Sequence, residues 1–248
     1  MDVQLLGGFA LRNRDRELAA AVHTQRLVAF LALAGPVFRG RAAAALWPDV
    51  AVERAHGSLR TALWQLRRLR PGLVVAQGDT LRLGPAVSTD VDRLVRTAAA
   101  LLRDPSSADL PYPVPRVGEL LPAWSDPWIV GERERYRQLQ LHLLEQATEE
   151  LTVRGRYAQA LETGLAAVRA DPLRESAHRL VITVHLAEGN IGEARRQLRE
   201  CTRLLRERLG VAPSSRLREL YRACGLTGQG LTVLPGGAAP GGRSGTEG

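Results

Sequence analysis

Five prolines fall within residues 104–123, and they divide the chain into two regions with different sequence patterns. Proline fixes φ and lacks a backbone N–H, so a regular helix or strand does not run through such a segment. The 248 residues are enough for about two domains of ordinary size. We therefore expect one folded region before this stretch and another after it.

The region before the prolines combines short apolar strands with three helical patterns. Residues 3–12 predict two strands around a Gly-Gly turn. Apolar spacing predicts three helices, over residues 24–35, 39–46 and 53–70. Residues 73–84 predict a hairpin, because Gly78-Asp79 separates two short apolar runs. This order of elements is typical of a winged helix-turn-helix built on an N-terminal layer of strands.

The region after the prolines has a helical period throughout. It predicts five helices, over residues 129–154, 156–170, 174–188, 191–209 and 214–224. Gly155 and Gly189 stand 34 residues apart, and Ala160 and Ala194 repeat that spacing. A 34-residue helix–turn–helix period with a small residue at the helix crossing is typical of tetratricopeptide repeats.

These patterns predict a mainly α protein with a small β component, in which an all-α tetratricopeptide-like domain follows a winged helix-turn-helix domain. The expected winged domain spans residues 1–96, and residues 97–127 form a proline-rich linker and the start of the second domain. The tetratricopeptide-like domain is expected over residues 128–224. The tail, residues 225–248, is rich in Gly and has no periodic apolar face, so we expect it to be disordered.

Several function classes do not fit the sequence. The phosphate-loop, HExxH and GxSxG motifs do not occur, so we expect no catalytic residues and no enzyme. Two cysteines, Cys201 and Cys224, are too few for a disulfide scaffold or a four-ligand zinc site, and we expect buried or half-buried free thiols. His178 and His185 share a helix face without a third ligand nearby, so we expect packing histidines, no metal and no cofactor. We find no transmembrane run or signal peptide, so we expect no membrane partner and a cytoplasmic location.

Positive charge is concentrated in the first region. All 34 basic residues are arginine, and with 26 acidic residues they give a net charge of +8. Residues 1–100 carry 14 Arg and 8 acidic residues, whereas residues 101–225 carry 19 Arg and 17 acidic residues. A GC-rich coding bias raises the arginine count without any partner. The uneven distribution nevertheless favours an anionic partner for the first region.

The helix predicted over residues 53–70 carries most of the candidate DNA contacts. With Leu59 and Leu66 turned inward, its opposite face and flanks present polar and basic side chains suited to bases and phosphates. The candidates on this helix are Ser58, Arg60, Thr61, Trp64, Gln65, Arg67 and Arg68. Two alternatives remain open: a solvated face for the arginines, and packing of Trp64 against the hairpin or the Trp47 loop.

Further candidates lie on the hairpin and on the first helix. Arg82 alternates with apolar neighbours, so it faces away from the core and is suited to a minor groove. Thr80 is a lesser candidate for a backbone contact. Thr24, Gln25 and Arg26 begin the first helix, where helix N-termini commonly meet phosphate. For Thr24, a purely structural role as the helix cap is the stronger alternative.

Several stretches resemble a known family. The segments LLGGFALR, TQRLVAFLALAG, RAAAALWPD, RAHGSLRTALWQLRRL and GDTLRL resemble the DNA-binding half of the antibiotic regulatory protein (SARP) family, an OmpR-type winged helix. The segments WSDPWIVGERERYRQLQLHLLEQATEEL, ADPLRESAH and LGVAPS resemble the bacterial transcriptional activator domain of the same family. The resemblance covers roughly residues 3–224.

The resemblance implies a transcription activator of actinobacteria that binds direct repeats of double-stranded DNA near the −35 element as a homodimer. It further implies recruitment of RNA polymerase holoenzyme and control of a secondary-metabolite gene cluster. Family DNA contacts map to the third helix and the hairpin, which supports the candidates named there. Gly57 and Trp64 depart from the commoner family residues, so base preference is expected to differ. The alternatives are a tetratricopeptide adaptor and a ligand-sensing repressor.

Overall fold

A computed structural model describes residues 1–14, 16–103 and 118–225. Its strands are β1 (Asp2–Gln4), β2 (Ala10–Asn13), β3 (Arg16–Glu17), β4 (Val37–Phe38), β5 (Val74–Gln77), β6 (Thr80–Leu83) and β7 (Ser88–Thr89). Its helices are α1 (Val22–Ala34), α2 (Arg39–Leu46), α3 (Val52–Leu69), α4 (Asp90–Arg103), α5 (Pro127–Val153), α6 (Tyr157–Ala170), α7 (Glu175–Ala187), α8 (Ile191–Leu204) and α9 (Ser215–Ala223). A π-helical turn, Leu205–Leu209, extends α8. The expected tail from residue 226 and residues 104–117 of the expected linker lie outside the described residues.

Two small sheets frame the N-terminal half, residues 1–103. One has the order β3-β2-β1-β7, with β7 parallel to β1, and the other has the order β4-β6-β5. The strand layer and the hairpin predicted from sequence are both present. The two-residue strands β3, β4 and β7 and the helix α4 were not predicted. Because α4 runs to Arg103, the first residues of the expected linker are helical.

Helices α1 and α3 bury the apolar stripes that the sequence predicts. Leu27 and Leu31 of α1 are fully or almost fully buried, as are Leu59 and Leu66 of α3. This arrangement of strands, three helices and a hairpin confirms the winged helix-turn-helix.

The prediction that Thr24 caps the first helix is wrong. The helix begins at Val22, and Ala21 occupies the capping position without a side-chain hydrogen bond. Thr24 lies inside the first turn with 2% of its surface exposed, and its hydroxyl donates to the carbonyl of Ala21 at 2.5 Å. A threonine there can satisfy itself against the preceding turn, which sequence alone does not distinguish from a cap.

The C-terminal half, residues 118–225, follows the predicted 34-residue period. Gly155 and Gly189 have positive φ of 70° and 84° and form the turns that lead into α6 and α8. Ala160 and Ala194 are completely buried at equivalent places in those two helices. The tetratricopeptide-like architecture is therefore confirmed. No helix within the described residues has both the length and the apolar character needed to cross a bilayer.

Both cysteines and one histidine of this half are buried inside the protein. Cys201 and Cys224 are buried free thiols, and burial raises the pKa of Cys201 to about 12. His178 is 1% exposed, with Nε2 2.9 Å from the carbonyl oxygen of Pro172 and Nδ1 2.7 Å from Nε2 of Gln197. Both ring nitrogens thus have partners inside the protein, as expected of a packing histidine.

The hydrophobic core of the N-terminal half extends into the beginning of the C-terminal half. Leu6 and Leu120 form a β-bridge, and the amide of Leu121 donates to the carbonyl of Leu5 at 3.0 Å. Trp128 at the start of α5 packs edge-on against Phe30 of α1, with 5.3 Å between ring centroids. The first helix of the C-terminal half thereby completes the core of the winged domain.

Candidate nucleic-acid interface

The outer face of α3 presents most of the side chains that the sequence singles out. Ser58 and Gln65 are half-buried at its edges. The exposed members of the set are Arg60, Thr61, Trp64, Arg67 and Arg68. The inward face of the same helix is closed by Ala55, Leu59, Ala62 and Leu66. This division leaves the polar face free to enter a groove of about helix width, such as the DNA major groove.

Trp64 lies on the exposed side of this helix. It keeps 56% of its surface exposed, which is high for a tryptophan. The guanidinium of Arg68 stacks over its ring, 4.8 Å from the ring centroid. The pair forms a flat surface of one aromatic ring and one cation, which suits contact with a sugar or a thymine methyl group beside a phosphate.

A shallow groove of about 390 Å³ runs beside this stack. It separates the C-terminal part of α3 from the segment leading into α1. Its lining includes Ala19, Ala20, Ala21, Trp64, Gln65 and Arg68. On its rim, Nε2 of His23 lies 2.6 Å from Oε1 of Gln65, so a hydrogen bond joins α1 to α3.

The start of α1 differs from the expected phosphate site. Thr24 is buried, and the side-chain nitrogen Nε2 of Gln25 donates to the carbonyl of Ala20 at 2.7 Å. Arg26 forms an ion pair with Asp126, at the start of the C-terminal half. All three side chains therefore have partners within the protein. The lack of a capping side chain at Ala21 leaves first-turn N–H groups as the feature of this end that suits an anion.

The hairpin β5–β6, hereafter the wing, orders its side chains by strand register. Leu81 is completely buried, and its neighbours Thr80 and Arg82 are half-buried on the other face, as the alternation predicts. Thr80 pairs with Gln77 on one side and with Phe38 of β4 on the other. This row therefore carries Phe38, which is 65% exposed. Sequence reasoning missed Phe38, because a two-residue strand gives no periodic signal.

Four arginines of α3 and the wing have no carboxylate partner among the described residues. Within residues 1–14, 16–103 and 118–225, no ion pair involves Arg60, Arg67, Arg68 or Arg82. Near the tip of the wing, Nε of Arg39 lies 3.9 Å from Oδ1 of Asp79, so this arginine does have a carboxylate partner. Unpaired guanidinium groups on an exposed helix face and wing produce a positive surface potential that favours a polyanion.

The chain is similar to known bacterial proteins. Residues 75–224 match the family described as "bacterial transcriptional activator domain". The regulatory protein AfsR of Streptomyces coelicolor is 29% identical over 189 residues, which are 72% of this chain and 19% of AfsR. The chain thus spans about a fifth of the length of that relative.

A solved structure has the same fold. Mycobacterium tuberculosis EmbR, solved in complex with a low-affinity phosphopeptide, superposes with a TM-score of 0.69 at 20% identity. The match covers 90% of this chain and 64% of the EmbR chain. At this identity the likeness shows a common fold, in which a winged helix precedes an all-α region.

Proposed function

The chain belongs to the bacterial transcriptional activator domain family, and we propose that it activates transcription by binding double-stranded DNA and recruiting RNA polymerase holoenzyme. The family makes it a bacterial transcriptional regulator of the antibiotic regulatory protein type. The observation that carries the proposal is the exposed face of α3, where polar side chains and arginines without carboxylate partners lie together.

In the proposed complex, α3 enters a major groove and the wing lies over an adjacent minor groove. Arg60 and Arg67, on the flanks of α3, contact phosphates and supply affinity that depends on salt. Thr61 and Gln65 contact base edges, and Arg82 follows the minor groove from the wing. Ser58 and Thr80 contribute weaker contacts at the edges of the interface. The backbone N–H groups at the start of α1 contact phosphate in place of the occupied Gln25 and Arg26 side chains.

The C-terminal half serves assembly in this proposal. Two protomers bind direct repeats near a −35 element as a homodimer, and the tetratricopeptide-like helices contact the second protomer, the polymerase, or both. The regulated genes form a secondary-metabolite biosynthetic cluster, and the protein acts on the nucleoid in the cytoplasm. The similarity to AfsR, which is named a regulatory protein, supports this assignment.

A ligand-sensing repressor is the second candidate. A cavity of about 670 Å³ between α5 and α6 has the volume of a small-molecule site. Two of its three arginines have carboxylate partners: Arg137 pairs with Glu134 and with Asp171 at 2.9 and 3.0 Å, and Arg133 lies 3.5 Å from Glu119. The third, Arg169, is exposed and has no ion pair within the described residues, so the cavity offers one cation to an anionic effector.

DNase footprinting on the promoters of the neighbouring operon tests the proposal, followed by transcription in vitro with purified polymerase holoenzyme. We expect a protected direct repeat and more transcript when the protein is present. Protection with less transcript would support the repressor. No protection at any tested promoter, with intact folding, would support the adaptor and overturn DNA binding.

A further inference from the structure

We propose that His23 sets the base preference of the protein by fixing the side-chain amide of Gln65 in one orientation. The inference rests on the proposed function, since it assigns a role to α3 in a DNA groove. His23 itself lies on α1, on the rim of the groove beside α3, and is a positioning residue. The observation behind it is the 2.6 Å hydrogen bond between Nε2 of His23 and Oε1 of Gln65.

The geometry fixes the donor and the acceptor. Oε1 of Gln65 can only accept, so Nε2 of His23 carries the proton and donates it. Both the neutral tautomer protonated at Nε2 and the imidazolium have this proton. The hydrogen bond therefore does not depend on whether the imidazole is charged.

The other end of the Gln65 amide stays open. Its Nε2 makes no hydrogen bond to any described residue, and it is absent from the buried polar atoms that lack a partner. Gln65 is half-buried one helical turn from Thr61, on the side of α3 that carries Trp64 and Arg68. The amide thus presents two N–H donors toward the solvent, while its carbonyl is held by α1.

This arrangement changes what a glutamine reads in a major groove. A free glutamine amide offers one acceptor and one donor, which match N6 and N7 of adenine. With Oε1 held toward α1 by His23, the two N–H donors are what the amide presents to the groove, and guanine offers two acceptors, O6 and N7, on one edge. We therefore expect guanine rather than adenine at the base pair that Gln65 contacts.

Thr61 adds a complementary contact one turn earlier. Its hydroxyl donates to the carbonyl of Gly57 at 3.2 Å, so its oxygen is left as an acceptor. An acceptor there suits N4 of cytosine or N6 of adenine. The face of α3 therefore carries a donor at Gln65 and an acceptor at Thr61, with fixed roles along the helix.

Binding-site selection from a randomised duplex library tests the proposal with four full-length proteins: wild type, Gln65→Ala, His23→Leu and His23→Gln. The base pair that Gln65 contacts is identified as the position at which wild type has a base preference and Gln65→Ala has none. His23→Leu removes the donor while keeping apolar bulk. His23→Gln keeps an N–H donor near the position of Nε2 and serves as the conservative rescue.

We expect wild type and His23→Gln to prefer guanine over adenine at that position by about fivefold or more. In His23→Leu the amide is free to rotate, so the preference is expected to fall to parity or pass to adenine. Anisotropy titrations on duplexes that differ only at this base pair give the ratios. Affinity for unrelated duplex and the thermal midpoint are expected to change little, which separates positioning from a general loss of structure.

The two proposals fail in different ways. If wild type selects no sequence and binds no duplex, DNA binding is overturned and the role of His23 is overturned with it. If wild type binds selectively and His23→Leu keeps the same guanine preference, the role of His23 alone is overturned. The role of His23 alone is also overturned if wild type prefers adenine at the position that Gln65→Ala identifies.

Discussion

Arg26 of α1 forms an ion pair with Asp126, the residue that precedes α5, across a separation of 100 residues in sequence. Their side chains keep 25% and 13% of their surface exposed. This pair joins the first helix of the winged domain to the C-terminal half. An arginine expected to contact phosphate therefore has an internal partner instead.

We predict that Arg26→Ala lowers the free energy of unfolding by about 1–3 kcal/mol, because it leaves the partly buried carboxylate of Asp126 without its partner. Urea unfolding monitored by circular dichroism gives the value. Arg60→Ala, which removes an exposed arginine of α3, is the matched control and is expected to cost less than about 0.5 kcal/mol. Equal losses in the two variants would contradict a structural role for Arg26.

The shared core predicts that a change in α5 affects the winged domain. Ile129 is completely buried in the core that also holds α1, whereas its neighbour Val130 is 62% exposed. Ile129→Ala is expected to cost about 2–5 kcal/mol through lost burial and a cavity, and Val130→Ala much less. Hydrogen exchange should then show faster exchange of α1 amides in Ile129→Ala. Loss of protection limited to α5 would indicate two independent cores.

The wing depends on a close backbone approach at its base. A Cβ added at Gly84 would lie 1.9 Å from the carbonyl oxygen of Gly72. Gly84→Ala must therefore displace one strand of the wing, and we expect a loss of about 1–3 kcal/mol together with weaker DNA binding. Gly131→Ala is the control, since nothing lies within 4 Å of its added Cβ, and in a helix it should stabilise by about 0.5–1 kcal/mol. Thermal unfolding of both variants checks the opposite signs.

The sequence predicts the elements whose signal is local. Leu27, Phe30 and Leu31 of α1 follow a helical spacing, and Gly155 and Gly189 repeat a turn, so these helices are found with small errors at their ends. The apolar spacing of α4 is also regular. Because of the prolines that follow it, however, the linker was expected to begin at residue 97, inside this helix. The DNA contacts on α3 and the wing stay predictions.

Contacts between distant segments give no such signal. The partners of Arg26 and Gln65 lie 100 and 42 residues away, so neither the ion pair nor the amide orientation can be deduced from spacing. The short strand β4, which carries the exposed Phe38, meets β6 only once the chain has folded, so its position cannot be deduced from local sequence. Sequence reasoning therefore predicts which face of a helix is exposed, but not which distant residues fix the side chains on that face.

Arg67 tests the phosphate contacts of α3. We predict that Arg67→Ala weakens binding to all duplexes by a similar factor and lowers the slope of log K against log salt by about 1. Fluorescence anisotropy between low and moderate salt gives the slope. Arg196→Ala is the control, because Arg196 lies on α8 in an ion pair with Glu193. An unchanged slope for Arg67→Ala would contradict a phosphate contact at this position.

The ion pair between Glu145 and Arg174 predicts how the free energy of unfolding changes at acid pH. Glu145 of α5 accepts hydrogen bonds from Nε and Nη2 of Arg174 at 2.7 and 2.8 Å, and from the hydroxyl of Ser176. Burial by itself raises the pKa of Glu145, but the bonds from Arg174 and Ser176 outweigh it and hold the pKa below the ordinary 4.5. The pair thus stabilises the contact between α5 and the start of α7.

Because the pKa of Glu145 is lower in the folded than in the unfolded protein, its contribution is complete above about pH 4.5 and is lost as the pH falls through the folded value. Glu145→Gln is therefore expected to be less stable than wild type by about 1–3 kcal/mol at pH 7, and the difference should shrink steadily below about pH 4.5. Urea unfolding between pH 3 and pH 7 measures the difference at each pH. Glu219→Gln, on the exposed face of α9, is the matched control and is expected to cost less than about 0.5 kcal/mol at pH 7. A wild-type advantage over Glu145→Gln that persists unchanged at pH 3 would show that the charge of Glu145 does not hold the two helices together.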